Sequence, residues 1–393
     1  EAFRPEPHCP LGHWVSWEAS GGASGELLGF LVSVSLGTAY AACSAKLMQF
    51  APAASGSGIP EVKTILNGFV LQDVLTFRTL IIKIPGLVLA VASGMALGHE
   101  GPMIHIACCW AQLLTRFFPQ FKNESRRREL FSAAMAAGVG VAFGSPVGGV
   151  LFSLEESSTF PSRTLLRAFI ASVMATLLLT LSNLTGTEKG ITMFTVHWTD
   201  TPHPSEYIMF VLLGLTGGLV GAAFNSLNIR WNAFRKLKKY KEFVLPIHEV
   251  TLIAFLTLCT SWWLPFTRYL NPEVIHALFD NCVELDNEWT RRGKLQVELG
   301  VCQKDGKPAE ATTTFLIQLG LAAVIRFFQT ALTIGLGCPA GLFVPSLFIG
   351  ACLGRCMGCA LKAMNTVHHL FSHNIDPGVY SMVGAAAVLA GVT

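Results

Sequence analysis

Apolar stretches recur along this chain at about 27–51, 79–97, 102–118, 130–154, 165–183, 206–229, 243–266, 313–336, 342–365 and 379–393. Most approach or exceed the ~20 residues that a helix needs to cross a bilayer. The composition agrees, since 51% of the residues are hydrophobic, only 13% are charged and the mean hydropathy is +0.50. An ordinary soluble protein carries ~25% charged residues. A disordered chain is excluded, and a soluble enzyme of two or three domains is disfavoured.

The opening 1–26 is polar and proline-rich, reads as a non-cytosolic segment, and carries no visible signal peptide. It starts without methionine, so the expectation is a chain that begins inside a larger protein. Lys and Arg cluster in two short connections, one with Arg116, Lys122, Arg126, Arg127 and Arg128, the other with Arg230, Arg235, Lys236, Lys238, Lys239 and Lys241. The positive-inside bias puts both in the cytosol. A formal charge of +3 beside spans this apolar gives no reason to expect nucleic acid as a partner. The sequon at Asn123 would then be cytosolic and unglycosylated. A polar loop at 268–312 should face the opposite compartment. Disulfides among Cys9, Cys282 and Cys302, and glycosylation at Asn183, are left open.

Four apolar regions are interrupted in the same way, at Gly56-Ser57-Gly58-Ile59-Pro60, Gly98-His99-Glu100-Gly101-Pro102, Gly144-Ser145-Pro146-Val147-Gly148-Gly149 and Gly337-Cys338-Pro339-Ala340-Gly341-Leu342-Phe343-Val344-Pro345. Glycine permits unusual backbone angles, and proline suits the first turn of a following helix. Non-helical backbone at membrane depth is tolerated only where it lines a cavity or is buried in protein. A helix beginning there offers unpaired N–H groups and the positive end of its dipole, which together attract an anion. One such break reads as a packing kink. Four of the same kind read as a binding site.

The chain also repeats. Gly101-Pro102-Met103-Ile104 and Val344-Pro345-Ser346-Leu347 share a glycine-rich break, a proline and a small-residue helix, with the prolines 345 − 102 = 243 positions apart. Ser132–Val139 echoes Gly384–Val392 in the same order. Related halves with broken helices meeting at the midplane are a transporter signature. The expected division is 27–229 for a first repeat incomplete at its start, and 230–393 for a second cut short at its end. Small-residue spacings at Gly94/Gly98, Gly217/Gly221 and Gly350/Gly354/Gly358 suit close helix packing in lipid.

Glu100 lies in a break with apolar sequence on both sides. A carboxylate there must be paired, hydrogen-bonded or protonated. Beside free helix N-termini it would occupy an anion's place, and protonation would release that place. Glu155 and Glu156 end an apolar run at the cytosolic side, either as interfacial anchors or as a relay toward the buried acid. Lys83, inside a span, either raises the local positive potential or satisfies a carboxylate or broken backbone. His99 and His105 lack the spacing of a zinc-protease pair. Cys352, Cys356 and Cys359 read as packing residues, and Ser57 has no nucleophile elbow.

The segments GSGIPE (56–61), GHEGP (98–102), GSPVGGVLFSLEE (144–156) and GLFVP (341–345) together resemble, in order, the signature segments of CLC chloride channels and proton-coupled chloride transporters. The likeness runs from about residue 27 and is strongest to the eukaryotic endosomal and vacuolar branch. It implies an all-α integral membrane fold, a multi-span CLC-type bundle with an inverted internal repeat. It implies chloride bound by the Ser57 hydroxyl and the amides of Leu342 and Phe343, with a more external ion at the amide of Gly101. Proline in place of Ser57 goes with nitrate preference in plant relatives. Glu100 matches the gating glutamate and Glu156 the internal proton glutamate. Having both favours chloride–proton antiport over the alternative, a voltage-gated chloride channel in which Glu100 only gates. The resemblance further implies a homodimer in an endosomal, Golgi or vacuolar membrane, with no cofactor and no enzymatic step. His99 stands where the family usually has lysine or arginine. The family's late tyrosine, its first membrane helices and its cytosolic CBS domains, where a nucleotide could bind, fall outside this chain.

Overall fold

The computed structural model describes residues 22–71, 73–157, 162–182, 202–237, 245–280, 291–302, 313–368 and 375–393. Expectations about Cys9, Cys282, Asn183, Lys238, Lys239 and Lys241 fall outside these residues. Cys302 is disulfide-bonded.

The described residues form helices and no strand: α1 Gly22–Phe50, α2 Ile59–Leu66, α3 Phe77–Ala92, α4 Glu100–Phe117, α5 Glu124–Phe143, α6 Pro146–Glu156, α7 Ser162–Ser182, α8 Tyr207–Arg235, α9 Pro246–Trp262, α10 Pro265–Arg268, α11 Asn271–Phe279, α12 Arg291–Glu298, α13 Thr313–Thr333, α14 Phe343–His368 and α15 Pro377–Val392. Five helical stretches among the described residues are long and apolar enough to cross a membrane: Ser24–Phe50, Arg163–Ser182, Pro204–Arg235, Thr313–Thr333 and Phe343–Thr366. The rest of the expected spans fall on helices that are shorter, such as α3, α9 and α15, or less apolar, such as α4 and α5.

Two expectations need correction. The run 130–154 is two helices rather than one span. Gly144 ends α5 in the left-handed region (φ +64), and Ser145 then caps α6 by accepting the Gly148 N–H at 3.3 Å. Glycine is at ease in that conformation, and Pro146 is pre-set for a first helical turn. The second is the polar loop at 268–312, which contains α11 and α12. Although α11 begins Asn-Pro-Glu, its Val274, Ile275, Leu278 and Phe279 are buried in one core with Phe266, Leu319, Phe348 and Cys352. Nine residues are too few to cross a bilayer, so this helix docks on α14.

The halves pack alike. α4 lies against α5 and α14 against α15, with α3 and α13 entering beside the respective breaks. The small-residue expectation holds on α14 and α8. Gly350, Gly354 and Gly358 sit against Gly384, Tyr380 and Pro377 of α15, while Gly217 and Gly221 sit against Ala387 and Gly391. Backbones can approach this closely only without side chains between them. Gly94 and Gly98 lie instead in the connection between α3 and α4. Within α14's apolar window 72% of residues are buried, against 22% for those of α1, α7 and α8. Helices apolar all round yet so exposed need an apolar solvent, and lipid supplies it.

Candidate functional site

Three of the four breaks meet. The Gly56 N–H donates to the Cys338 carbonyl at 3.0 Å, tying the first break to the last. Gly98 and Gly341 form an isolated antiparallel bridge, each N–H donating to the other's carbonyl at 2.8 Å. These bridged glycines are 341 − 98 = 243 residues apart, the interval between the repeated prolines, so each glycine pairs with its own repeat equivalent. Two residues beyond the bridge, α4 starts at Glu100 and α14 at Phe343. Their N-termini are therefore side by side.

The first break adds a third helix end. Gly58, in the left-handed region (φ +81), caps α2, and the Ser57 hydroxyl accepts the Ile59 N–H at 3.3 Å. Among the described residues the Ser57 and Gly58 amides donate to no backbone carbonyl. Ser57 packs directly on Gly101, where an added Cβ would lie 2.8 Å from the serine Cβ. Leu342 is half-buried, and Phe343 is buried with its ring edge-on to Phe143 (6.1 Å) and Phe152 (5.5 Å). Ser57, Glu100, Gly101, Leu342 and Phe343 thus share one locality.

Glu100 is wholly buried. The amides of Glu100, Val344 and His99 lie near its carboxylate, yet neither oxygen makes a hydrogen bond of ordinary geometry. His99 Nδ1 stands 3.3 Å from Oε1, and its ring is partly exposed. A buried carboxylate held so loosely is free to change place or protonation state at low cost in bonds broken.

Glu156 does not join this cluster directly. It ends α6, where Oε2 lies 2.7 Å from Lys63 Nζ of α2, while Glu155 is exposed. α2 therefore carries the Ser57 break at one end and the partner of Glu156 toward the other. Just past its end, Gly68 adjoins Arg128 of the basic connection.

Lys83 resolves to broken backbone. Its Nζ reaches the carbonyls of Ala54 (3.1 Å) and Gly56 (3.0 Å) and the Nδ1 of His105 (2.9 Å). Sequence reasoning missed His105, which entered only as a rejected zinc ligand. It also missed Arg326, which is buried in α13. The signal for Arg326 was the 243-residue interval, which pairs it with position 83.

A family model described as "Voltage gated chloride channel" matches residues 38–393. The protein called "H(+)/Cl(-) exchange transporter 3" in Mus musculus is 39% identical over 413 residues, covering 100% of this chain and 50% of that protein. "H(+)/Cl(-) exchange transporter 5" of Oryctolagus cuniculus is 38% identical over 411 residues, with the same coverage of 100% and 50%. The chain thus spans about half the length of the curated relatives it matches. A solved structure described as the crystal structure of a eukaryotic CLC transporter superposes with a TM-score of 0.72 at 27% identity, over 96% of this chain and 59% of that one.

Proposed function

The chain belongs to the voltage-gated chloride channel family, and from that premise we propose that it moves chloride across an intracellular membrane in exchange for protons. The observation that carries this reading is the shared locality of three helix starts and one enclosed acid. The free amides at Ser57 and Gly58 and the starts of α4 and α14 supply partial positive charge at one place. Such a place holds a small anion without a metal. Glu100 is itself an anion at that place. While ionised it competes with chloride; once protonated it loses that claim, and the ion passes. Proton binding and chloride passage are then two faces of one competition, as antiport requires.

Protons must reach Glu100 from the cytosol. Glu156 serves as their internal acceptor, and its position beside Lys63, on the helix that runs toward Arg128, supports that assignment. Ser57, Leu342 and Phe343 bind the central ion, and the amide of Gly101 an outer one. The names of the two relatives, both exchange transporters, support antiport over a channel with Glu100 as gate alone. Two copies form a homodimer with one pathway each, in an endosomal, Golgi or vacuolar membrane. The transported ions are chloride and protons, and no cofactor takes part.

Flux in proteoliposomes under combined chloride and pH gradients tests this. A chloride gradient should drive protons uphill, and Glu156→Ala should abolish proton movement while chloride flux survives. Chloride conduction with no proton movement in the parent protein would refute antiport.

A further inference from the structure

Lys83 and His105 carry no role in the proposed exchange, yet both side chains are wholly buried. An ammonium has three hydrogens and no lone pair. Lys83 spends all three, on Ala54 O, Gly56 O and His105 Nδ1. Since Nδ1 must accept, the imidazole proton sits on Nε2, which donates to the Val74 carbonyl at 3.0 Å. The chain of bonds runs from Val74 through His105 and Lys83 to the carbonyls on either side of Ser55.

Those carbonyls adjoin the anion site. The oxygen of Gly56 and the N–H of Ser57 belong to one peptide plane, which is trans here. In a trans peptide they point in opposite directions. Pinning the oxygen on Lys83 removes a negative dipole end from the far side and aims the Ser57 N–H there instead. His105 also acts on the residue after Ser57. Its ring lies so close to Gly58 that a Cβ there would collide with ring atoms. One residue fixes the peptide before the serine, and the other fixes the backbone after it.

The second half supplies an internal control. Adding 243 to 83 and to 105 gives Arg326 and Phe348. The Arg326 guanidinium lies 5.4 Å above the Phe348 ring, and it donates to the Thr267 carbonyl of α10 at 2.7 Å. A buried cation beside a ring recurs at equivalent positions, although the carbonyl it holds, that of Thr267, is not the counterpart of Ala54 or Gly56. There, however, the ring accepts no hydrogen bond along its plane. The cation there is held by Gln329 and Thr267 instead, and what histidine adds in the first half is a directional hold on Lys83 and so on Gly56.

We propose that Lys83 and His105 are positioning residues for anion selection, holding the Gly56–Ser57 peptide in the orientation that favours a halide over an oxyanion such as nitrate. This rests on Ser57 lining the anion site.

The test is His105→Phe, which installs the second half's ring, measured beside His105→Gln and Ser57→Pro. The readouts are the chloride-to-nitrate preference from reversal potentials, and chloride KM against maximal rate. His105→Phe should keep its maximal rate but lose chloride preference and raise KM by about fivefold, the effect of one buried hydrogen bond. His105→Gln, which can still accept from Lys83, should shift preference by less, about twofold. Unchanged selectivity and KM in His105→Phe, with Ser57→Pro shifted, would overturn the positioning role and leave the serine in its site. Should His105→Phe fail to fold, unchanged selectivity in His105→Leu, which likewise cannot accept from Lys83, does the same. An inert Ser57→Pro would remove the serine from the site and this inference with it.

Discussion

Glu100 opens α4 and Phe343 opens α14, and 343 − 100 = 243 is the interval that also separates the bridged glycines. Both residues are buried, both follow the bridge by two positions, and both helices begin with the same unpaired amides. One start carries a carboxylate without a well-formed hydrogen bond, the other a phenyl ring held edge-on by Phe143 and Phe152. The backbone thus supplies the same partial positive charge twice. The side chain decides whether that charge is answered by the protein's own anion or left for a foreign one. Lys83 with His105 against Arg326 with Phe348 repeats the contrast, in hydrogen bonds on one side and ring stacking on the other.

Substitutions at the two helix starts should break the comparison most sharply. Glu100→Ala is expected to eliminate proton coupling and leave rapid anion flux insensitive to pH, read as paired proton and chloride fluxes. Phe343→Leu should keep coupling intact and cost about 1–1.5 kcal/mol of stability from lost aromatic contact, read by thermal unfolding. Loss of coupling in Phe343→Leu would mean that the halves are not specialised as described.

A smaller effect separates two left-handed glycines. Gly58→Ala should cost more than Gly56→Ala, which has open space for a Cβ and bears the ~1–2 kcal/mol of the backbone conformation alone. The excess comes from His105, which occupies the space a Cβ would need at Gly58. Equal melting temperatures would show that the ring moves aside freely.

The least change is expected at Lys63. It is 52% exposed, so its pair with Glu156 is worth about 0–1 kcal/mol. Lys63→Met should therefore leave the melting temperature within a few degrees. Its proton-to-chloride ratio, compared with that of Glu156→Ala, shows whether the lysine or the acid alone matters for proton coupling.

Some of this was legible in single residues. Pro60, Pro102, Pro146 and Pro345 marked helix starts, and a helix start is a local matter of capping and fixed angles. The break at Gly144 was seen but submerged in an apolar run, because hydropathy does not register a left-handed residue. α11 was passed over because Asn271, Glu273 and His276 dilute its apolar letters, although its apolar side chains are buried against α14. His105 was unreadable for a related reason. A histidine in a helix acquires its role from what faces it, and Lys83 is 22 residues away.

By itself the sequence determined that the chain is a broken-helix membrane protein built from related halves, and which residues head those helices. These follow from apolar length, glycine and proline, all local properties. Tertiary structure alone decided that Gly98 pairs with Gly341, that Gly56 is held by Cys338 and Lys83, and that the acid of one half stands beside the helix end of the other. Backbone hydrogen bonds between distant glycines use no side chain, so no residue letter announces them. They form only when the two halves have packed.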